Sequence, residues 1–137
     1  MIRHSSLVIP RFLLILGLLV LAVAGCAPKP YRQADLAVDS PEGRAVAADL
    51  AALKSGGRAG IATFLRTRAA NDPARLALLQ WALGQLAAAD AVELRSLDAF
   101  GPDVVRAVIS VKQGAAEQET TFLLVRKDGR LLWASPN

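Results

Sequence analysis

The hydrophobic period of this chain changes once, near Asp90, and that change constrains the fold more than any other feature of the sequence. Before Asp90, apolar residues such as Val46, Leu50 and Leu53 recur every three or four positions, which is the spacing of one helix face. After Asp90, the spacing becomes alternate and β-branched residues become common, which is typical of strands. Helices followed by a run of strands predict an α+β fold, in which the helices pack on an antiparallel meander.

Three helices are predicted before Asp90, and their ends carry start and stop signals. Ser40 suits an N-cap and Pro41 a first helical position, so the first helix begins there and stops at the Ser-Gly-Gly of residues 55–57. The second helix is expected over about residues 61–70. Asp72 and Pro73 repeat the cap signal, and a third helix follows over residues 73–88. We expect the third helix to be the most buried, because its apolar stripe is wide: Leu76, Leu79, Leu83 and Leu86, with Leu78, Trp81 and Ala82 beside them.

Four strands fit the remainder of the chain, at about residues 91–99, 103–112, 117–127 and 130–135. The turn at Asp128 and Gly129 is the strongest hairpin signal, because Asp-Gly suits a type I′ turn. On the second of these strands, alternation places one apolar face toward the helices, formed by Val105, Ala107, Ile109 and Val111.

The first 26 residues have the organisation of an export signal. Arg3, His4 and Arg11 supply a basic start, and residues 12–25 form an uncharged apolar run that stops at Cys26. That run is about 14 residues long, whereas a membrane-spanning helix needs roughly 20, so a permanent transmembrane helix is the weaker interpretation. An ordinary signal peptide or an uncleaved anchor, with the cysteine there by coincidence, is the alternative.

The end of this segment resembles the lipobox of bacterial membrane lipoproteins. Val23, Ala24 and Gly25 are the branched and small residues that precede the cysteine in that family, and Cys26 stands at the lipidated position. The resemblance implies cleavage before Cys26 and attachment of acyl chains to its thiol. Cys26 is the only cysteine of the chain, so no internal disulfide competes for it. Ala27 in the next position, where inner-membrane lipoproteins usually carry aspartate, implies the outer membrane facing the periplasm if the host has two membranes.

The predicted organisation is therefore a signal peptide (1–25), a lipidated cysteine with a flexible Pro-containing tether (26–40) and one small α+β domain (41–137). Arg3 and Arg11 leave with the signal and no acidic residue does, so the net charge falls from +4 to +2. The remaining basic residues are scattered among carboxylates, so no nucleic-acid partner is predicted.

The closing strands resemble those of small bacterial lipoproteins with the nuclear-transport-factor-like (cystatin-like), cone-shaped α+β fold. The resemblance spans residues 103–135 and rests on a strand that runs into a hairpin containing Thr121, Phe122, Leu124, Val125, Lys127, Asp128, Gly129 and Trp133. It implies a cone in which a cavity lies between the helices and the sheet.

Few side chains suited to catalysis remain after export. His4 is the only histidine and lies in the signal, and Cys26 would be acylated, so we predict no catalytic residue, no metal site and no cofactor. An enzyme with this sequence would have to use carboxylate chemistry. The candidate carboxylates on predicted strands are Asp98, Glu93 and Glu119, and Arg95 or Arg106 could pair with them. The alternative interpretation, which we favour, is that these residues form cross-strand pairs on a solvent face.

Three aromatic residues, Trp81, Phe122 and Trp133, are candidates to line a ligand cavity, although most aromatic side chains of so small a domain should lie in its core. We expect Trp133, near the C-terminus, to be the exception. Two functions remain: a lipid-anchored envelope module that binds another envelope protein without catalysis, or a carrier or sensor of a small apolar molecule. The predicted partners are the membrane, through the anchor, and an envelope protein.

Overall fold

The computed structural model describes residues 34–137 of the chain. The α+β class and the predicted order of helices followed by an antiparallel meander are confirmed for this part. The export and lipidation predictions depend on residues that lie outside the described part of the chain: Val23, Ala24, Gly25 and Cys26. In chain order the elements are β1 (Ala34–Leu36), α1 (Pro41–Gly56), a 3₁₀ turn (Arg58–Gly60), α2 (Ile61–Arg68), α3 (Pro73–Ala88), β2 (Ala91–Ala99), β3 (Val104–Gln113), β4 (Ala116–Lys127) and β5 (Arg130–Pro136).

Within residues 34–137 the sheet has five strands, in the order β1-β2-β3-β4-β5, and each pairs antiparallel with its neighbour. The four predicted strands are β2 to β5. The fifth, β1, lies in the segment 26–40 that was expected to be a tether, so that prediction is wrong for the end of the segment. Leu36 explains the difference, because it stands opposite Leu97 and packs against the core, while a strand of three residues is too short to show a period.

The link from β1 to α1 is also held in place. The backbone of Ala37 and Val38 passes directly over Gly43, so closely that any side chain at Gly43 would collide with the Val38 carbonyl. Gly43 N–H in turn donates to the Ser40 side chain at 3.1 Å, which is the predicted N-cap. Glycine is therefore required at this position, and β1 is part of the domain that was predicted to start at Pro41.

The predicted helices form with small changes at their ends. Asp72 caps α3 as expected, since its carboxylate accepts from the Ala74 N–H at 3.1 Å. The second helix ends at Arg68 rather than Ala70, because the Ala70 N–H leaves the helix and donates to the Trp133 carbonyl at 2.7 Å. The Lys54 ammonium donates to the Ala87 and Ala89 carbonyls at the end of α3. None of the helices in the described part of the chain has the length and apolar character needed to cross a membrane.

The core lies between the helices and one face of the sheet. Val105, Ala107 and Ile109 on β3 are fully buried, as the predicted alternation requires. The prediction for α3 is only half correct. Leu79, Ala82, Leu83 and Leu86 are buried, whereas Leu78 and Trp81 are 53% and 63% exposed. Only one stripe of α3 packs against the core. Leu78 and Trp81 lie on the side of the helix that faces solvent.

Trp133 is the aromatic residue at the centre of this core, and the expectation that it would be the exception is wrong. Its side chain is 0% exposed and meets Phe64 and Phe122 edge to face, with ring centroids 5.9 and 5.2 Å away. The indole Nε1 donates to Asp49 Oδ2 at 3.0 Å, and Arg68 Nε donates to the other oxygen of Asp49 at 2.9 Å. Trp133 thus joins β5 to α1 and, through Asp49, to the end of α2.

Replacing each tryptophan by phenylalanine should give opposite results. Trp133→Phe removes the donor to Asp49 and leaves a gap in the core, so the free energy of unfolding should fall by about 2 kcal/mol. Trp81→Phe, the matched control, should change it by less than about 0.5 kcal/mol because Trp81 is exposed. Urea unfolding followed by circular dichroism measures both. Equal effects of the two substitutions would contradict this description of the core.

Candidate functional site

The outer side of α3 has an unusual composition for a helix surface that faces solvent. Arg75 is the only charged residue in α3, and Leu78 and Trp81 are the large apolar side chains exposed on it. A helix on the surface of a globular protein normally presents charged and polar residues to water. From residue 77 onward the exposed side chains of α3 are all uncharged: Ala77, Leu78, Gln80, Trp81, Gln85 and Ala88. We call these six residues the α3 face.

A groove of about 780 Å³ adjoins the α3 face. It lies between α3 and the turn end of the β3–β4 hairpin, where Gln113 pairs with Ala116. Trp81 lines it from the helix, and Val111 and Gln118, which are paired in the sheet, line it from the strands. The full lining is Arg58, Trp81, Ala82, Gln85, Leu86, Ala88, Val111, Gln113, Ala116, Gln118, Glu119, Thr120 and Pro136. We call this the Trp81 groove.

The lining of the Trp81 groove suits uncharged groups. Arg58 and Glu119 are its charged residues within the described part of the chain, and they have opposite signs. Trp81 and Leu86 offer apolar contact. The side-chain amides of the groove each supply both donors and an acceptor, which complement backbone amides as well as neutral polar groups: Gln85, Gln113 and Gln118. The groove and the α3 face together form one continuous, nearly uncharged surface, since Trp81, Gln85 and Ala88 belong to both.

The structure does not bring the three predicted cavity residues together. Trp81 lines the groove, but Phe122 and Trp133 are packed against each other in the core. The physical reason is the direction of the strands: Phe122 on β4 and Trp133 on β5 point to the helix side of the sheet, where α1, α2 and α3 cover them. Nothing in the sequence distinguishes a tryptophan on a covered face from one on an uncovered face.

The carboxylates considered for an enzyme lie on the sheet face opposite the helices. Glu93 and Glu119 are exposed and stand opposite Ser110 from either side, and Glu119 is also among the residues that line the Trp81 groove. Asp98 is buried at 8% exposure and pairs with Arg106, whose Nη2 lies 2.7 Å from Asp98 Oδ2. Arg106 also lies over the Phe100 ring, 4.7 Å from its centroid. Asp98 and Arg106 are a cross-strand pair, although a buried one, whereas Glu93 lies 3.8 Å from Arg95 on its own strand.

Glu117, which the sequence did not single out, is the carboxylate with the most distinctive surroundings. The Ser110 hydroxyl donates to Glu117 Oε1 at 2.6 Å and Arg95 Nη2 donates to the same oxygen at 2.7 Å, and both hydrogen bonds lower the pKa of the Glu117 carboxyl. The hydrogen bond to Glu117 raises the pKa of Arg95 in turn. A carboxyl held in its charged form in this way is unsuited to act as a general acid near neutral pH.

Comparisons with known proteins give no further guide to the site. No family model, no curated protein and no solved structure matches the chain. The resemblances to lipoproteins and to the cone-shaped fold therefore stay predictions from the residues that carry them. Within residues 34–137, no group of three or more His, Cys, Asp or Glu side chains is placed to hold a metal ion.

Proposed function

We propose that this protein is a lipid-anchored module of the cell envelope, at the outer membrane, that binds another envelope protein through the α3 face. The observation that carries the proposal is the exposure of Trp81 and Leu78, at 63% and 53%, on a helix that carries no charge after Arg75. Trp81 and Leu78 are three residues apart in α3, so their side chains are neighbours on its surface.

The composition of the α3 face matches the centre of a protein interface. Interface cores are depleted of charged residues and enriched in aromatic ones, and tryptophan is among the residues whose truncation costs most binding energy. The Trp81 groove extends the surface with amide donors and acceptors, which a partner's backbone can satisfy. The partner that fits is a protein with an apolar, uncharged surface, and no catalytic role is proposed for this chain.

The anchor that we propose is the acylated Cys26, after removal of residues 1–25. Its support is the apolar run, the small residues before the cysteine and the absence of a second cysteine. Because β1 begins at Ala34, residues 27–33 are the spacer between the anchor and the domain. Fully extended, these seven residues span at most about 25 Å, so a domain held by this anchor stays close to the bilayer.

Site-specific crosslinking tests the proposed interface. With the photoreactive benzoylphenylalanine in place of Trp81, in the envelope of the protein's own host, we expect one discrete adduct with another protein. The same amino acid in place of Arg44, an exposed residue of α1, should give none. The reason is that the α3 face is uncharged and exposes two large apolar side chains, Leu78 and Trp81.

A charge placed beside the crosslinker provides the second control. Leu78→Asp should abolish the adduct formed from position 81, because it puts a carboxylate in the apolar contact. Ala48→Asp, at an exposed position of α1, should leave the adduct unchanged. An adduct that persists with Leu78→Asp, or that forms equally well from position 44, would reject the α3 face as the interface.

Metabolic labelling tests the anchor separately. Cells grown with an alkyne-tagged fatty acid should label the wild-type protein, and Cys26→Ser should take up no label because the thiol that accepts the lipid is lost. Continued labelling of Cys26→Ser would show that the anchor assignment is wrong, and it would leave the α3 interface intact as a proposal.

A carrier of a small apolar molecule is the second candidate function. The volume of the Trp81 groove, about 780 Å³, favours it, because that size is in the range of small-molecule sites. Native mass spectrometry of protein purified from its own host would then show a reproducible added mass of a few hundred daltons, lost with Trp81→Asp. A protein of unmodified mass apart from the anchor would exclude the carrier.

A further inference from the structure

A second groove, of about 340 Å³, lies on a different part of the domain. It is bounded by the first half of α1, the end of α2 and the turn between β4 and β5. Arginines from three elements line it. The full lining is Pro41, Glu42, Ala45, Asp49, Arg68, Arg126, Gly129, Arg130 and Leu131. We call it the arginine groove.

The arginines differ in how fully their donors are used. Arg68 is committed to the core, because it donates to Asp49, which also accepts from Trp133. Arg126 approaches Glu42 only loosely, with Nη1 3.5 Å from Oε1, and its Nε is buried without a hydrogen-bond partner. Arg130 donates through Nη2 to the Thr67 carbonyl at 3.1 Å. Since each guanidinium has five N–H donors, Arg126 and Arg130 retain donors for an additional acceptor.

The charge balance of the arginine groove favours an anion. Among the lining residues, Arg68, Arg126 and Arg130 outnumber Glu42 and Asp49 by one positive charge. Asp49 is neutralised by Arg68, so the loosely held Glu42 is the carboxylate that an incoming anion has to displace. The contact of Arg126 with Glu42 is long, at 3.5 Å, so an anionic acceptor that comes closer makes a stronger bond to the same guanidinium.

We propose that the arginine groove binds a phosphate group, with Arg126 and Arg130 as its direct ligands and Glu42 as an internal competitor for Arg126. Guanidinium groups that approach from separate elements suit a phosphate, because its several oxygens accept in different directions and charge-assisted bonds to them are strong. Gly129 contributes no side chain at the turn, which leaves room for the group. The volume suits one esterified phosphate rather than a large ligand.

The phosphate could belong to a soluble ester or to a phospholipid head group. The head-group source rests on the proposed anchor, since a spacer of residues 27–33 would keep the domain within about 25 Å of the bilayer. Recognition of the phosphate itself does not depend on the anchor, so the two can fail separately.

Calorimetric titration with sn-glycerol 3-phosphate tests the site in the full chain reconstituted in phosphatidylcholine vesicles. We expect saturable binding that Arg126→Gln and Arg130→Gln each weaken about tenfold, the effect of one lost charge-assisted hydrogen bond. Glu42→Gln should tighten binding, because it removes the competitor. Arg75→Gln, which removes an equal charge from α3 outside the groove, should leave the affinity unchanged.

A second set of vesicles, in which part of the lipid is phosphatidylglycerol, identifies the source. Weaker binding of glycerol phosphate there than in phosphatidylcholine, with no such difference between the vesicles for Arg126→Gln, would identify the head group as the natural occupant. Equal binding in both sets of vesicles and in buffer without lipid would identify a soluble ester. No saturable binding in phosphatidylcholine, or binding indifferent to Arg126→Gln, Arg130→Gln and Glu42→Gln, would overturn the proposal. A chain that does not associate with vesicles would contradict the proposed anchor. The same titration in buffer would then still test phosphate binding by the arginine groove.

Discussion

The hydrogen bond from the Trp133 indole to Asp49 is the interaction on which much of this structure depends. It brings the last strand, the first helix and, through Arg68, the end of the second helix to one point. Phe64 and Phe122 enclose the ring on two sides, so the polar contact is made at the border of an apolar core. Asp49 also lines the arginine groove. The hydrogen bond from Trp133 therefore fixes the position of one side chain of that groove as well.

The third helix shows the complementary constraint. Once its buried stripe is packed on the core, Leu78 and Trp81 have to face outward, and from residue 77 onward the helix has no charge to make that side an ordinary solvated surface. The uncharged outer side, together with the Trp81 groove, is what supports an interaction role. The arginine groove is lined by none of the residues of the Trp81 groove, so the domain offers one uncharged surface and one charged depression to different partners.

Much of the fold could be predicted from local signals. Ser40, Asp72 and the Asp128-Gly129 turn act over a few residues, and the backbone confirms each, with φ of 53° at Asp128 and 75° at Gly129 as a type I′ turn needs. What could not be predicted depends on tertiary contacts. The strand β1 forms because Leu36 pairs with Leu97 in the sheet. Whether Trp81 and Trp133 are exposed or buried depends on which faces the helices cover. The candidate site was therefore predicted in one residue of three, Trp81, and the arginine groove was missed because its residues are far apart in sequence.

Hydroxyl-radical footprinting of the two tryptophans, in intact host cells and in purified protein, tests the central claim most directly. Trp133 is buried in the fold and should be protected from oxidation in both samples, so it serves as the internal reference. Trp81 should be oxidised readily in the purified protein and protected in the cell, where the partner covers the α3 face. Equal oxidation of Trp81 in both samples would show that this surface is free in the envelope and would contradict the proposed function.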